Sequence, residues 1–116
     1  MSALLARGAR LFDEGAFFEA HEAWEEQWRV ETDETRRRLL QGLIQVAAGF
    51  HKLLVMGSAE GAQRLLARGL AKLDATPASM AGKEIVAFRA AVHECARALA
   101  AGRLDRTAIP KMRMPG

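Results

Sequence analysis

Apolar residues recur along the chain at the three- and four-residue spacing of an amphipathic α-helix, and no segment alternates convincingly at the two-residue period of a strand. Glycine and proline divide this pattern into blocks. The blocks predict five helices, over about residues 2–14, 17–30, 34–56, 58–73 and 83–101, with residues 74–82 as a loop. Helices two and three are joined through Thr32 and Asp33, which are predicted N-caps, as are Ser2 and Ser58.

The third block differs from the others because apolar residues cover nearly its whole circumference. A helix with that pattern is buried at the centre of a fold. The short connections at Gly15 and Gly57 predict antiparallel neighbours. We therefore predict an all-α fold, a compact bundle of four to five antiparallel helices around a buried central third helix. Residues 1–102 form its single domain, and residues 103–116 form an extended or frayed C-terminal tail.

The composition agrees with this fold and narrows the class of protein. The chain has 116 residues, is 50% hydrophobic and lacks tyrosine, which favours one helical domain. No apolar run reaches the roughly 18 residues of a membrane span, and the first ten residues lack the pattern of a secretory signal. The single Cys95 cannot form an internal disulfide. These features predict a cytoplasmic protein without membrane contact, and the apolar content of so small a chain favours a homodimer.

The net charge of +3 conceals an asymmetry along the chain. Residues 1–31 carry a net charge of −4, whereas residues 32–116 carry +7. The acidic excess lies mainly on the outer and edge faces of the second helix. The protein is therefore not predicted to have a uniformly basic surface, although its net charge is positive. Nucleic-acid binding through the basic 32–116 portion remains an alternative hypothesis. Charge pairing within the bundle or between two copies explains the asymmetry better.

Several polar side chains interrupt the apolar pattern of the second and third helices. His21 lies in the apolar stripe of the second helix, with Glu25 one turn further at its edge and Glu22 at the rim. On the third helix, Gln41 and Gln45 are four residues apart, and His51 follows. Buried polar groups require hydrogen-bond partners, since leaving one unpaired costs about 1–3 kcal/mol. We therefore predict a cluster of His, Glu and Gln side chains between the second and third helices.

Three interpretations of this cluster remain open. It is a buried hydrogen-bond network that fixes helix register, or a pocket for a small polar or anionic ligand with Trp24 and Trp28 as walls and Arg36 to Arg38 at its mouth. The third alternative is a divalent metal site with His21, Glu25 and His51 as candidate ligands, which would permit a metal-assisted hydrolase. No cofactor is otherwise predicted.

The same residues also resemble a known family. The resemblance rests on these segments: Phe12-x-x-Gly15-x-Phe17-x-x-x-His21-Glu22-x-x-Glu25-x-x-Trp28, Leu40-Gln41-Gly42-Leu43-Ile44-Gln45-x-Ala47, His51, and Gly61-Ala62-x-x-Leu65-Leu66. In order and spacing they are similar to the prokaryotic helical family labelled domain of unknown function 309, over about residues 10–75. The resemblance implies a compact helical bundle and marks His21, Glu22, Glu25, Trp28, Gln41, Gly42 and His51 as signature positions. It implies no reaction.

The sequence thus predicts a small, non-enzymatic helical binding or interaction module more readily than an enzyme. Its candidate ligand-binding or structural cluster comprises His21, Glu22, Glu25, Trp28, Gln41, Gln45 and His51. No catalytic residue is assigned, because no nucleophile or oxyanion arrangement is visible in the sequence.

Overall fold

Helices account for all the regular structure in the part of the chain that the computed structural model describes, which is residues 2–114 with side chains from Leu5 onward. They are α1 (Ser2–Asp13), α2 (Phe17–Val30), α3 (Glu34–Leu54), α4 (Ala59–Asp74), α5 (Ala78–Ala81) and α6 (Lys83–Ala100). The predicted all-α class is confirmed, and the long helices end within two residues of their predicted bounds. The side chain of Ser2, a predicted N-cap, lies outside the described part.

The helix boundaries follow from local chemistry. The Asp33 carboxylate accepts the backbone N–H of Arg36 at 2.9 Å, and the Ser58 hydroxyl oxygen accepts that of Gly61 at 3.1 Å, so these two predicted N-caps are confirmed. Asp33, and not its neighbour Thr32, is the N-cap of α3. Gly15 and Gly57 have φ values of +85° and +71°. A residue with a side chain adopts such angles at a cost, and these two glycines therefore end α1 and α3.

The prediction of a loop over residues 74–82 is wrong in one respect, because α5 forms a single helical turn there. Pro77 precedes this turn with φ at −58°, a value that its ring fixes and that suits the start of a helix. Gly82 ends the turn with φ at +85°. The two residues that suggested an irregular loop therefore delimit a short helix.

The bundle is arranged around α3, which packs against α2 on one side and α4 on the other. Helix α1 packs on α2, and α6 packs on α4. At the α3–α4 contact the backbones approach closely, since a Cβ atom on Gly69 would lie 2.7 Å from the carbonyl oxygen of Gly42. The core includes a cluster of phenylalanines, in which the ring of Phe12 lies 5.0 Å from Phe17 and 5.2 Å from Phe88 between centroids.

One stripe of α3 is only partly covered by the described helices around it. At helical spacing it comprises the half-buried Gln41, Gln45, Ala48 and Lys52 and the exposed Val55. We call the surface formed by this stripe and the adjoining edges of α2 and α4 the α3 face. On α2 the adjoining positions are Phe18, His21, Glu25 and Trp28, and on α4 they are Leu65, Arg68 and Lys72.

The C-terminal segment has no regular structure over residues 103–114, but it is anchored. Met112 is 3% exposed and belongs to the core cluster. The Asp13 carboxylate accepts the backbone N–H groups of Met112 at 2.8 Å and Arg113 at 3.0 Å. An acidic residue at the last position of a helix opposes the helix dipole. The two hydrogen bonds give Asp13 a structural role there, in holding residues 109–114, which we call the strap.

Candidate functional site

His21 is oriented by charged residues of its own helix. Its Nε2 atom lies 3.3 Å from one carboxylate oxygen of Glu25, whose other oxygen lies 2.5 Å from a guanidinium nitrogen of Arg29. Side chains four residues apart on a helix are neighbours, so this row of three follows from their spacing. The Nδ1 atom of His21 is buried and has no hydrogen-bond partner among the described residues.

The rings of His21 and His51 meet on a third ring, that of Phe18. Phe18 and His21 are stacked at 5.9 Å between centroids with an interplanar angle of 20°. Phe18 and His51 lie 5.6 Å apart at 46°. Phe18 itself is 49% exposed, which is unusual for a large apolar side chain. The two histidines that α2 and α3 contribute therefore share one aromatic surface that remains open to solvent.

A pocket of about 210 Å³ lies at this point of the α3 face. Its lining combines apolar, aromatic and basic side chains from three helices: Phe18, His21, Ala48, His51, Lys52 and Leu65. Pockets for drug-sized ligands measure about 300–1,000 Å³, so this one suits a small molecule or a single side chain. The imidazoles and the Lys52 ammonium are hydrogen-bond donors, and the Phe18 ring supplies a flat apolar wall.

The remaining predicted site residues lie around this pocket or away from it. The amide oxygen of Gln45 accepts a hydrogen bond from Lys72 Nζ at 2.9 Å, so it faces α4 and not the histidines. Gln41 is half-buried one turn earlier on the same stripe. Glu22 is exposed in a charged groove of about 510 Å³ between α1 and α2, where Arg7 lies 3.4 Å from Glu26.

The two tryptophans do not form the walls of a ligand pocket as predicted. Trp24 is completely buried, and its indole N–H donates to the carbonyl oxygen of Leu5 at 3.2 Å. The guanidinium carbon of Arg37 lies 4.3 Å from the centroid of the Trp28 ring, and Arg37 also donates to the carbonyl oxygens of Trp28 and Glu31. Arg37 thus satisfies the last carbonyls of α2 and is not at the mouth of the histidine pocket.

A three-ligand metal site is not visible in this arrangement. Within residues 2–114, no group of three or more His, Cys, Asp or Glu side chains lies close enough together to hold a metal ion. His21 and Glu25 are in contact, but their geometry with His51 does not complete such a set. The metal-binding alternative therefore has only the sequence pattern in its favour.

Sequence reasoning missed several residues of the site, among them Phe18, Lys52, Leu65 and Lys72. The ring of Phe18 contacts both histidines. The sequence could have indicated this residue, because positions 18, 21, 25 and 28 share one face of the second helix. Lys72 holds Gln45 from 27 positions away, and Leu65 lines the pocket from α4. The tertiary packing of α4 on α3 alone brings these two residues to the site.

None of the described helices combines the length and the apolar character that crossing a bilayer requires.

Comparison with known proteins places the chain in a family. The family model described as a domain of unknown function (DUF309) matches residues 5–65. That segment is more than half of the chain, and the chain belongs to this family, as the sequence resemblance implied. A search of the curated proteins finds no match.

Proposed function

We propose that this DUF309 protein is a non-enzymatic binding module that pairs with a second copy of itself through the α3 face. The observation that carries the proposal is the incomplete cover of α3. Among the described residues, no helix packs on the stripe of the central helix that runs from Gln41 to Val55 between α2 and α4. A helix from another molecule would complete the layer.

The apolar exposure of the α3 face supports association. Phe18 is 49% exposed and Val55 67% exposed, and Met56, next to Val55, is 59% exposed. Three of the large exposed apolar side chains thus lie on or beside one face. Apolar groups gathered in this way are typical of protein interaction sites, whereas apolar groups scattered singly over a surface are not.

The charges at the two edges of the α3 face are opposite. The α2 edge carries Glu25, and the α4 edge carries Arg68 and Lys72. In a dimer whose two-fold axis runs parallel to α3, the α2 edge of one copy lies opposite the α4 edge of the other. Acidic and basic edges then meet twice, which steers association and sets its register.

The chemistry of the pocket favours binding over catalysis. Its lining residues offer imidazole, ammonium and hydrocarbon groups, but neither a hydroxyl, a thiol nor a carboxylate. Hydrolytic mechanisms that use a histidine base need an activated nucleophile or a metal-bound water beside it.

Light scattering coupled to size exclusion tests the dimer. We expect the wild-type mass to rise towards two chains with concentration, and Val55→Asp to weaken association roughly tenfold or more by placing two carboxylates at the interface. Val30→Asp is the matched control, since Val30 is 79% exposed and adjoins a different groove, with Arg7 and Gln27. A wild-type chain that stays monomeric up to about 1 mM, or equal effects of both variants, would overturn the proposal.

A second candidate function is binding of a small anion in the histidine pocket, which the convergence of His21, His51 and Lys52 favours. Histidine ring signals followed by NMR during titration with benzoate test this candidate. We expect the His21 and His51 signals to shift, and those of His93, which pairs with Asp74 at 2.8 Å on the surface, to stay in place. Shifts produced by Zn²⁺ and not by benzoate would favour the metal alternative, and salt-sensitive DNA retardation would favour nucleic-acid binding.

A further inference from the structure

A second groove lies between α6 and the strap. It measures about 430 Å³, within the usual range for ligand pockets. Its lining is contributed by α6 through Lys83, Glu84, Ala87, Phe88 and Ala91, and by the strap through Lys111, Met112 and Arg113. Neither segment forms the groove alone, because residues at least twenty positions apart make its two walls.

The floor of the groove is apolar and firmly held. Phe88 is 2% exposed and Met112 3% exposed, so both are fixed in the core beneath the groove. Ala87 and Ala91 add small side chains one turn apart on the outer side of α6. The two backbone hydrogen bonds to Asp13 hold the strap in position. An apolar chain or ring placed here would contact a rigid hydrocarbon surface.

The rim of the groove is basic. Lys83, Lys111 and Arg113 are exposed, and within the described residues none of these three side chains makes a hydrogen bond or an ion pair. Glu84 is the acidic residue among the lining, and its Oε2 atom is buried without a partner. Three cations against one carboxylate leave a net positive rim around an apolar floor.

We infer that this groove binds an amphipathic anion, a molecule with a hydrocarbon chain or aromatic ring and a carboxylate or sulfonate group. The hydrocarbon part lies over Ala87, Phe88, Ala91 and Met112, and the anionic group faces Lys83, Lys111 and Arg113. Charge complementarity selects the anion, because the apolar floor alone would accept a neutral molecule equally well. The site is independent of the proposed dimer, which uses the α3 face.

Fluorescence titration with 8-anilinonaphthalene-1-sulfonate, an aromatic sulfonate that brightens in apolar surroundings, tests the inference. We expect saturable binding of one molecule per chain that weakens with salt and is displaced by decanoate. Lys83→Gln and Lys111→Gln should each weaken binding about threefold, and the double variant roughly tenfold. Circular dichroism verifies that each variant is folded.

Arg103→Gln serves as the control, since Arg103 is exposed and lines neither this groove nor the histidine pocket. It should leave the binding of the sulfonate unchanged. Absence of saturable binding, or weakening by Arg103→Gln while the double variant binds normally, would overturn the inference. An uncharged probe, N-phenyl-1-naphthylamine, should bind the wild type and the double variant equally, because it lacks the group that the lysines recognise.

Discussion

The two sides of α3 differ sharply, although adjacent residues define them. On the side towards α4, Gly42 and Gly69 let two helix backbones touch, and Leu66 packs on Gly49. On the α3 face, the side chains of Gln41, Gln45, Ala48 and Lys52 remain half-buried. The side towards α4 depends on glycines, which have no side chain, whereas the α3 face carries side chains that are only half-buried within the chain. Gln41 and Gly42, neighbours in the family signature, therefore have different roles. Gly42 permits the close packing of α3 on α4, whereas Gln41 belongs to the α3 face.

The largest effect is expected from Gly69→Ala, which would break the packed side. Its Cβ atom would lie 2.7 Å from the Gly42 oxygen and 2.8 Å from Val46 Cγ2, so α3 and α4 must separate. We expect a loss of about 2 kcal/mol in the free energy of unfolding, measured by urea denaturation, despite the better helix propensity of alanine.

Gly61→Ala is the matched control for that variant. The atom nearest to the added Cβ would be Cε of Lys52, at 2.9 Å, which belongs to a flexible side chain that can move. We expect between no change and a gain of about 1 kcal/mol. Equal losses in the free energy of unfolding of both variants would show that the glycine at position 69 is not needed for the close approach of α3 and α4.

An intermediate effect is expected from Arg37→Ala, which tests the connection between α2 and α3. The variant removes two hydrogen bonds to carbonyl oxygens, of 2.7 and 3.0 Å, and the contact with the Trp28 ring. Charged donors to partly buried acceptors contribute more than exposed ion pairs, and we expect thermal denaturation to report a loss of about 1.5 kcal/mol. The neighbouring exposed Arg36→Ala should change stability by less than about 0.5 kcal/mol.

The smallest effect is expected from His21→Ala, which decides whether the α3 face serves stability or binding. The His21 side chain is 27% exposed, and its partner Glu25 keeps Arg29. We expect the free energy of unfolding to fall by about 1 kcal/mol or less, with weaker dimerisation or ligand binding. A loss of about 3 kcal/mol with unchanged binding would instead identify the cluster as a structural network.

Much of the fold was predictable because its signals are local. Asp33 and Ser58 cap helices through atoms three residues away, and Gly15 and Gly57 end helices through their own φ angles. The site was predictable only in part. His21 and Glu25 meet because they are one turn apart on a helix, whereas the ring of Phe18 joins His21 to His51 only once α2 packs on α3.

The sequence by itself determined the five long helices, their ends, the central position of α3 and the membership of the family. Periodicity, caps and spaced signature residues are properties of short stretches of chain. Only the tertiary structure decided which side of α3 stays open, that Gln45 bonds to Lys72 on α4, and that Met112 closes the core beside Asp13. These outcomes depend on residues 27 and 99 positions apart. No local pattern encodes such pairs, because they form only when whole helices and the strap bury their apolar surfaces together.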